Sequence, residues 1–204
     1  MANRKKKATG AAPRGKYTTL DVVAREGVRL IGLARPEVHN AFNETLIAEL
    51  TDAVREAGAD PAVRVLLLHA TGSSFCAGAD LEWMKRMAAY GHAENLADAN
   101  ALAGMLSTLA QCPKPTVACV NGAAYGGGVG LIACCDIAIG VDSARFGLTE
   151  TRLGLVPAVI SPYVIDAIGA RQARRLFLTA ELFDAHEAAR IGLLHRGVEF
   201  GGRH

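Results

Sequence analysis

Aromatic side chains make up only 5% of this 204-residue chain, with a single tryptophan. A buried core must therefore come from Ala, Val, Leu and Ile. Formal charge is nearly balanced at +2, which gives no strong field for steering a highly charged partner. The basic run Arg4, Lys5, Lys6, Lys7 has no interleaved aromatics, so it reads as a solvated tail and not as a nucleic-acid site. No apolar run reaches the roughly 18 residues of a membrane span, and the basic start lacks the apolar segment of a secretory signal. The five cysteines, Cys76, Cys112, Cys119, Cys134 and Cys135, are odd in number and form no CxxC pair. That excludes a disulfide framework and a thiolate zinc site, and it points to reduced core thiols and a cytoplasmic location. His39, His69, His92, His186 and His195 show no ligand spacing, so no metal is expected.

Glycine, by contrast, is abundant at 22 residues. The pattern around it alternates short apolar strands with helices, which predicts an α/β class. Residues 1–16 read as a disordered basic arm, 17–195 as one domain, and 196–204 as an irregular tail. Strands are predicted at Val28 to Leu33, Val63 to His69 and Thr116 to Val120. Asn43 is a candidate cap for a helix over Glu44 to Ala57, with Leu46, Ile47, Leu50 and Val54 at helical spacing. Residues 81–111 read as two helices around a break at Gly91. Val129 to Ile137 reads as an apolar helix, and Val164 to Leu193 as a helical C-terminal region.

Two glycine-containing turns draw attention: Cys76-Ala77-Gly78-Ala79-Asp80, and Gly126-Gly127-Gly128 before the apolar helix. Neither is a dinucleotide fingerprint or a P-loop. Three glycines before a helix are consistent with a tight strand-to-helix turn. They also present bare N–H groups that could hold an oxyanion. Spacing alone leaves both readings open. Glu150 is a helix-capping or surface carboxylate on one reading and an acid–base group on the other. Asp80 suits an N-cap and Asp136 a satisfied, buried structural carboxylate.

Four ordered segments together resemble the crotonase (enoyl-CoA hydratase/isomerase) family. They are Arg35-Pro36 with Asn40-Ala41-Phe42, then Phe75-Cys76-Ala77-Gly78-Ala79-Asp80-Leu81. Next come Asn121-Gly122 through Gly126-Gly127-Gly128 with Cys135-Asp136-Ile137, and finally Phe146-Gly147-Leu148-Thr149-Glu150 with Leu153-Gly154-Leu155-Val156-Pro157. The resemblance implies a spiral of ββα units, a homotrimer or hexamer, and an acyl-CoA thioester as substrate. No separate cofactor is implied, because coenzyme A is part of that substrate. By the same resemblance, Ala79 N–H and Gly127 N–H are the oxyanion-hole donors and Glu150 is the second of two catalytic glutamates. The first falls at Gly130, a departure. Val38, His39, Ala77, Asp80, Tyr125 and Gly126 are implied contacts for the acyl-CoA, with Glu37 where many relatives carry a basic residue. Cys76 is expected to contribute shape, and Trp83 and Met84 to cover an acyl pocket or a subunit contact.

The implied activity is hydration of a 2-enoyl-CoA. The stretch from Thr149 to Pro162 looks closest to methylglutaconyl-CoA hydratase-like members associated with leucine degradation. Double-bond isomerisation, which needs one proton shuttle, is the alternative; a non-catalytic binding homologue or remnant is the other. Relatives continue into further helices, so the tail is expected to reflect truncation or an altered frame, with poor solubility and weak turnover.

Overall fold

The computed structural model describes residues 15–198. The chain opens with a hairpin: β1 (Leu20–Arg25) pairs antiparallel with β2 (Val28–Leu33). Its two-residue turn, Glu26-Gly27, has φ of 48° and 85°, the left-handed pair that matches strand twist. Helix α1 (Glu44–Ala59) follows, and the Asn43 side chain accepts from Leu46 N–H at 2.9 Å as its cap. Its buried face is Leu46, Ile47, Leu50, Ala53, Val54 and Ala57, the stripe that the spacing predicts.

Three ββα units come next. The first is β3 (Val65–Ala70), β4 (Ser74–Cys76) and helices α2 (Leu81–Met87) and α3 (His92–Ala110). The second is β5 (Thr116–Val120), β6 (Ala123–Tyr125) and α4 (Gly127–Ala133). The third is β7 (Ile137–Val141), β8 (Arg145–Gly147) and, after a 3-10 turn, α5 (Ser161–Thr179). Each unit sends its longer strand to one sheet and its shorter strand to another. The larger sheet runs β1-β2-β3-β5-β7 and ends on β10 (Arg196–Val198), with β2, β3, β5 and β7 parallel. The smaller runs β4-β6-β8 and ends on β9 (Leu182–Asp184). This is the crotonase spiral. Its core is mostly aliphatic; Phe42, Phe75 and Phe146 are the large aromatics fully buried in it. Among the described residues no helix is long and apolar enough to cross a membrane.

The structure corrects several boundaries. The apolar run from Val129 does not stay helical to Ile137. Helix α4 stops at Ala133, and Asp136 then accepts from Thr116 N–H at 2.7 Å and Thr116 Oγ1 at 2.9 Å. That clip sets Ile137 opposite Val117 and starts β7. Asp136 is satisfied, as expected, but it is not buried as expected: its residue is exposed, at the turn between α4 and β7. The C-terminal region is also less uniform than expected. Gly169, at φ 77° and ψ 152°, interrupts α5; then β9 (Leu182–Asp184) and α6 (Ala185–Ile191) follow, with Asp184 capping α6. The expected irregular tail instead begins with strand β10 (Arg196–Val198), parallel to β7. Residues 199–204, and residues 1–14 of the basic arm, lie outside the described residues. Lys16, expected in that arm, bonds Asp52 Oδ2 at 2.5 Å and Glu56 Oε1 at 2.6 Å on α1.

The loop from Arg35 to Phe42 links the sheet to the glycine turns. After a 3-10 turn at Pro36–Val38, His39 and Asn40 take left-handed φ of 53° and 56°. Asn40 has no solvent exposure. Its Oδ1 accepts from Arg35 N–H at 2.8 Å, and its Nδ2 donates to Thr71 O at 2.8 Å and Ser74 O at 2.9 Å. One amide therefore ties β2's exit to β4's entry. Asn40→Ala should lower unfolding free energy by about 2–4 kcal/mol in urea titration, because it removes the partner of three backbone groups, one of them buried at Ser74 and two half-buried at Arg35 and Thr71, and puts Ala at a left-handed φ.

Candidate active site

Phe42 forms an isolated parallel bridge with Ala79. Phe42 N–H donates to Gly78 O at 2.7 Å, and Asp80 N–H donates to Phe42 O at 2.8 Å. A trans peptide sets its C=O and N–H in opposite directions. Since Gly78 O faces Phe42, Ala79 N–H must face away from it. Among the described residues that N–H has no protein acceptor. Ala79 is exposed while Gly78 and Asp80 beside it are buried, so its amide opens onto accessible space.

The second turn lies against the first. A Cβ built on Gly78 would be 3.1 Å from Tyr125 O and 3.8 Å from Gly127 N. Gly78 has φ 90° and Gly126 φ 49°, values that favour glycine. Gly126 N–H is committed to Gly147 O at 2.9 Å. Gly127 begins α4, where first-turn N–H groups lack intrahelical acceptors. A Cβ on Gly127 would sit 2.4 Å from Phe42 Cε2, and one on Gly128 would sit 2.4 Å from Cys76 O. The glycines are thus required by close approach of the Phe42 ring and of strand β4. Ala79 N–H and Gly127 N–H are brought together as two free donors, the arrangement that can hold a developing oxyanion.

Glu150 begins the 3-10 turn Glu150–Leu153 just after β8, which closes at left-handed Gly154. Its Oε1 would be 3.0 Å from a Cβ on Gly126, so the carboxylate adjoins the second turn. Its Oε2 is buried and has no hydrogen-bond partner among the described residues. Burial raises the Glu150 carboxyl above its ordinary value, only partly offset by its own backbone N–H. A half-buried carboxylate with an orphan oxygen, set against the turn that carries Gly127, suits proton transfer at an enolisable carbon.

The other predicted site residues have distinct places. Val38 and His39 form the early turn. His39 O accepts from Ala77 N–H at 3.0 Å and His39 Nδ1 meets Ser74 Oγ at 3.0 Å, so the Ala77 amide is not a free donor. Tyr125 presents its carbonyl to Gly78. Asp80 caps α2 through Glu82 N–H at 2.9 Å and Trp83 N–H at 3.2 Å, and pairs with Arg35 at 2.8 Å. Burial works to raise its carboxyl, but Arg35 and the two N–H groups outweigh it and hold the group below the ordinary carboxylate value. Cys76 is buried, which pushes its thiol up to about 12 and leaves it a space-filling role. Trp83 is buried, its Nε1 on Asp98 Oδ2 at 3.2 Å. The sequence reading missed Phe42 and Arg35 as shapers of the site; both lay inside the quoted early motif, but nothing in their spacing says which strand they meet.

The family model for enoyl-CoA hydratase/isomerase matches residues 24–198. The chain belongs to the enoyl-CoA hydratase/isomerase family. A crotonyl-CoA hydratase from Syntrophomonas wolfei is 34% identical over 185 residues, covering 90% of this chain and 70% of the relative. A hydroxycinnamoyl-CoA hydratase-lyase from Pseudomonas fluorescens is 34% identical over 187 residues, covering 90% and 68%. Among solved structures, an enoyl-CoA hydratase from Shewanella pealeana superposes with TM-score 0.88 at 46% identity, over 90% of this chain and 69% of that one. Pseudomonas aeruginosa AtuE gives TM-score 0.88 at 40% identity, over 90% and 71%.

Within this enoyl-CoA hydratase/isomerase chain, Gly130 has a physical explanation. A Cβ there would lie 2.4 Å from Ile160 Cγ2 and 2.9 Å from Ile160 Cβ. Ile160 therefore fills the space where the family resemblance puts a first glutamate, leaving an apolar wall. Gly130→Glu should destabilise the chain by about 1–3 kcal/mol through overpacking, and adding Ile160→Ala should recover part of that loss in thermal unfolding. Glu150 generates a further test. Because its folded pKa is raised, its contribution is fully present below the unfolded value and lost as pH rises through the folded one. Glu150→Gln should therefore gain Tm over the parent at neutral pH, and the gain should vanish near pH 4.5, the ordinary value.

Proposed function

We propose that this chain adds water across the double bond of a 2-enoyl-CoA thioester, with Glu150 as the sole acid–base group. One observation carries the reading: a buried, unpartnered carboxylate oxygen on Glu150 next to the turn that carries Gly127, with Ala79 N–H free on the adjoining turn. The thioester oxygen would accept from both N–H groups. As a Glu150-bound water attacks the β-carbon, electron density moves to that oxygen, giving an enolate. Glu150 takes the water proton and returns a proton to the α-carbon as the enolate collapses. Each oxyanion donor is worth about 3 kcal/mol of barrier, and the positioned carboxylate roughly 10²–10⁴ in rate.

Isomerisation is the second reading, favoured by the apolar wall of Ile160 at Gly130. Here Glu150 moves one proton between carbons and no second group need hold water. A branched, methylglutaconyl-like acyl group is the preferred substrate, supported by the resemblance over Thr149 to Pro162. Leu153, Leu155 and Val156, exposed just after Glu150, supply apolar surface for an acyl chain or for neighbouring protomers of a homotrimer or hexamer. The cytoplasm, where the free cysteines stay reduced, is the proposed location.

Purified chain should be offered crotonyl-CoA, 3-methylglutaconyl-CoA and a 3-enoyl-CoA, with 3-hydroxyacyl and shifted-alkene products measured separately. Hydration is expected with the 2-enoyl thioesters. Glu150→Gln should cut kcat at least about 100-fold while acyl-CoA affinity stays within a few fold. Parent-like turnover by that variant would remove Glu150 from the mechanism. Tight acyl-CoA binding with neither product formed would favour a non-catalytic homologue.

A further inference from the structure

Arg35 is nearly enclosed, its side chain 14% exposed and that of Asp80 11%. The guanidinium makes two contacts at once: Nη1 donates to Ala41 O at 2.5 Å, and Nη2 donates to Asp80 Oδ2 at 2.8 Å. Ala41 C=O belongs to the same peptide unit as Phe42 N–H, and Phe42 N–H donates to Gly78 O at 2.7 Å. Gly78 C=O belongs in turn to the peptide unit that carries Ala79 N–H. Two peptide units therefore stand in series between a buried cation and a free amide. Each trans unit receives a hydrogen bond at its oxygen and presents its N–H in the opposite direction.

We propose that Arg35 is a positioning residue for the oxyanion site, acting through the relay Arg35 Nη1 to Ala41 O, Phe42 N–H to Gly78 O, and so to Ala79 N–H. The inference rests on the proposed role of Ala79 N–H as an oxyanion donor. The relay does two things. Hydrogen bonds in series polarise one another, and a cationic first donor strengthens the effect. Ala79 N–H is thereby a better donor than an isolated amide. The planar fork also holds Ala41 O and the Asp80 carboxylate on the two strands of the Phe42 bridge, which fixes the direction of the amide. Asp80 is the counter-charge that lets the guanidinium stay buried. Arg35 touches no substrate in this scheme.

The test uses the full chain with Arg35→Lys and Arg35→Met. Lysine keeps the charge but cannot reproduce the two-pronged contact; methionine loses the charge. Three quantities are read: the ¹⁵N–¹H position of the Ala79 amide without ligand, the red shift of cinnamoyl-CoA on binding, and kcat and KM for crotonyl-CoA. The amide should move upfield, the red shift should shrink, and kcat should fall roughly 10–100-fold for methionine, with lysine intermediate. KM should stay within about threefold, because the relay acts mainly on the developing charge.

An Ala79 amide and red shift indifferent to both substitutions would overturn the relay. So would a loss confined to KM and Tm, which is what a merely structural arginine would give. Should the methionine variant fail to fold, a folded lysine variant with a parent-like amide position and red shift overturns it equally. The function reading fails separately. If the parent turns over no enoyl-CoA while the Ala79 amide still follows Arg35, the relay stands and the hydratase reading falls. If the parent hydrates crotonyl-CoA and the amide ignores Arg35, the reverse holds.

Discussion

Phe42 is hydrogen-bonded on both sides of its own residue, to Gly78 O through its N–H and to Asp80 N–H through its O. That short bridge fixes which way the chain faces from Gly78 to Asp80, and hence where Ala79 N–H points. The Phe42 ring then occupies the space beside Gly127, where a Cβ would lie 2.4 Å from it. A single buried residue thus meets both turns of the site, one through backbone and one through side chain. Remove its bridge and Ala79 N–H loses its defined direction. The scaffold under it is polar: fully buried Asn40 ties the loop to Thr71 and Ser74. Polar groups in such a place rigidify only when all are satisfied, and the Asn40 amide has a partner on both its oxygen and its nitrogen.

The glycines of the site answer to different causes, and the distinction matters for reading mutations. Gly126 and Gly78 are demanded by backbone angle. Gly127, Gly128 and Gly130 are helical and are demanded by neighbours: the Phe42 ring, Cys76 O and the Ile160 side chain respectively. A carbonyl cannot retreat as a side-chain end can, so position 128 is the least tolerant of the three. Position 130 is limited by a removable isoleucine, and there the chain has exchanged a possible acidic group for packing.

Much of this was legible in the sequence, for identifiable reasons. Asn43, Asp80 and Gly91 are helix-start residues whose chemistry is local, and each sits at a helix N-terminus in the structure. The ends of α4 and α5 were not legible. From Val129 to Ile137 the apolar run has no break that separates a short buried helix from the strand after it. The Asp136–Thr116 clip decides the boundary, and it acts across 20 residues of sequence. Strand β1 was not legible although Glu26-Gly27 marks its turn, because Asp21, Ala24 and Arg25 leave it less apolar than β2. Candidate donors Ala79 and Gly127 could be named from motif, and the free N–H of Gly127 follows from its place at a helix start, but the reason Ala79 N–H is free could not be read. That reason lies in pairings between residues 35–42 and 77–80, which no local pattern encodes.

The electrostatics of the site follow from what stands at residue 130. A second carboxylate near Glu150 would be a like charge and would push the Glu150 carboxyl further up. Ile160 fills that position instead, so burial remains the leading cause of the upward shift. Burial sets that upward direction against the lowering by the residue's own backbone N–H. Leu155 and Val156, a few residues beyond Glu150, are exposed apolar groups, and on the proposed reading an acyl chain that meets them would deepen the burial of the carboxyl while leaving the reacting water in place. Substrate binding would then raise the carboxyl further while adding a new partner for orphan Oε2. On the proposed reading, a thioester held by Ala79 and Gly127 would also complete the environment that makes Glu150 a stronger base.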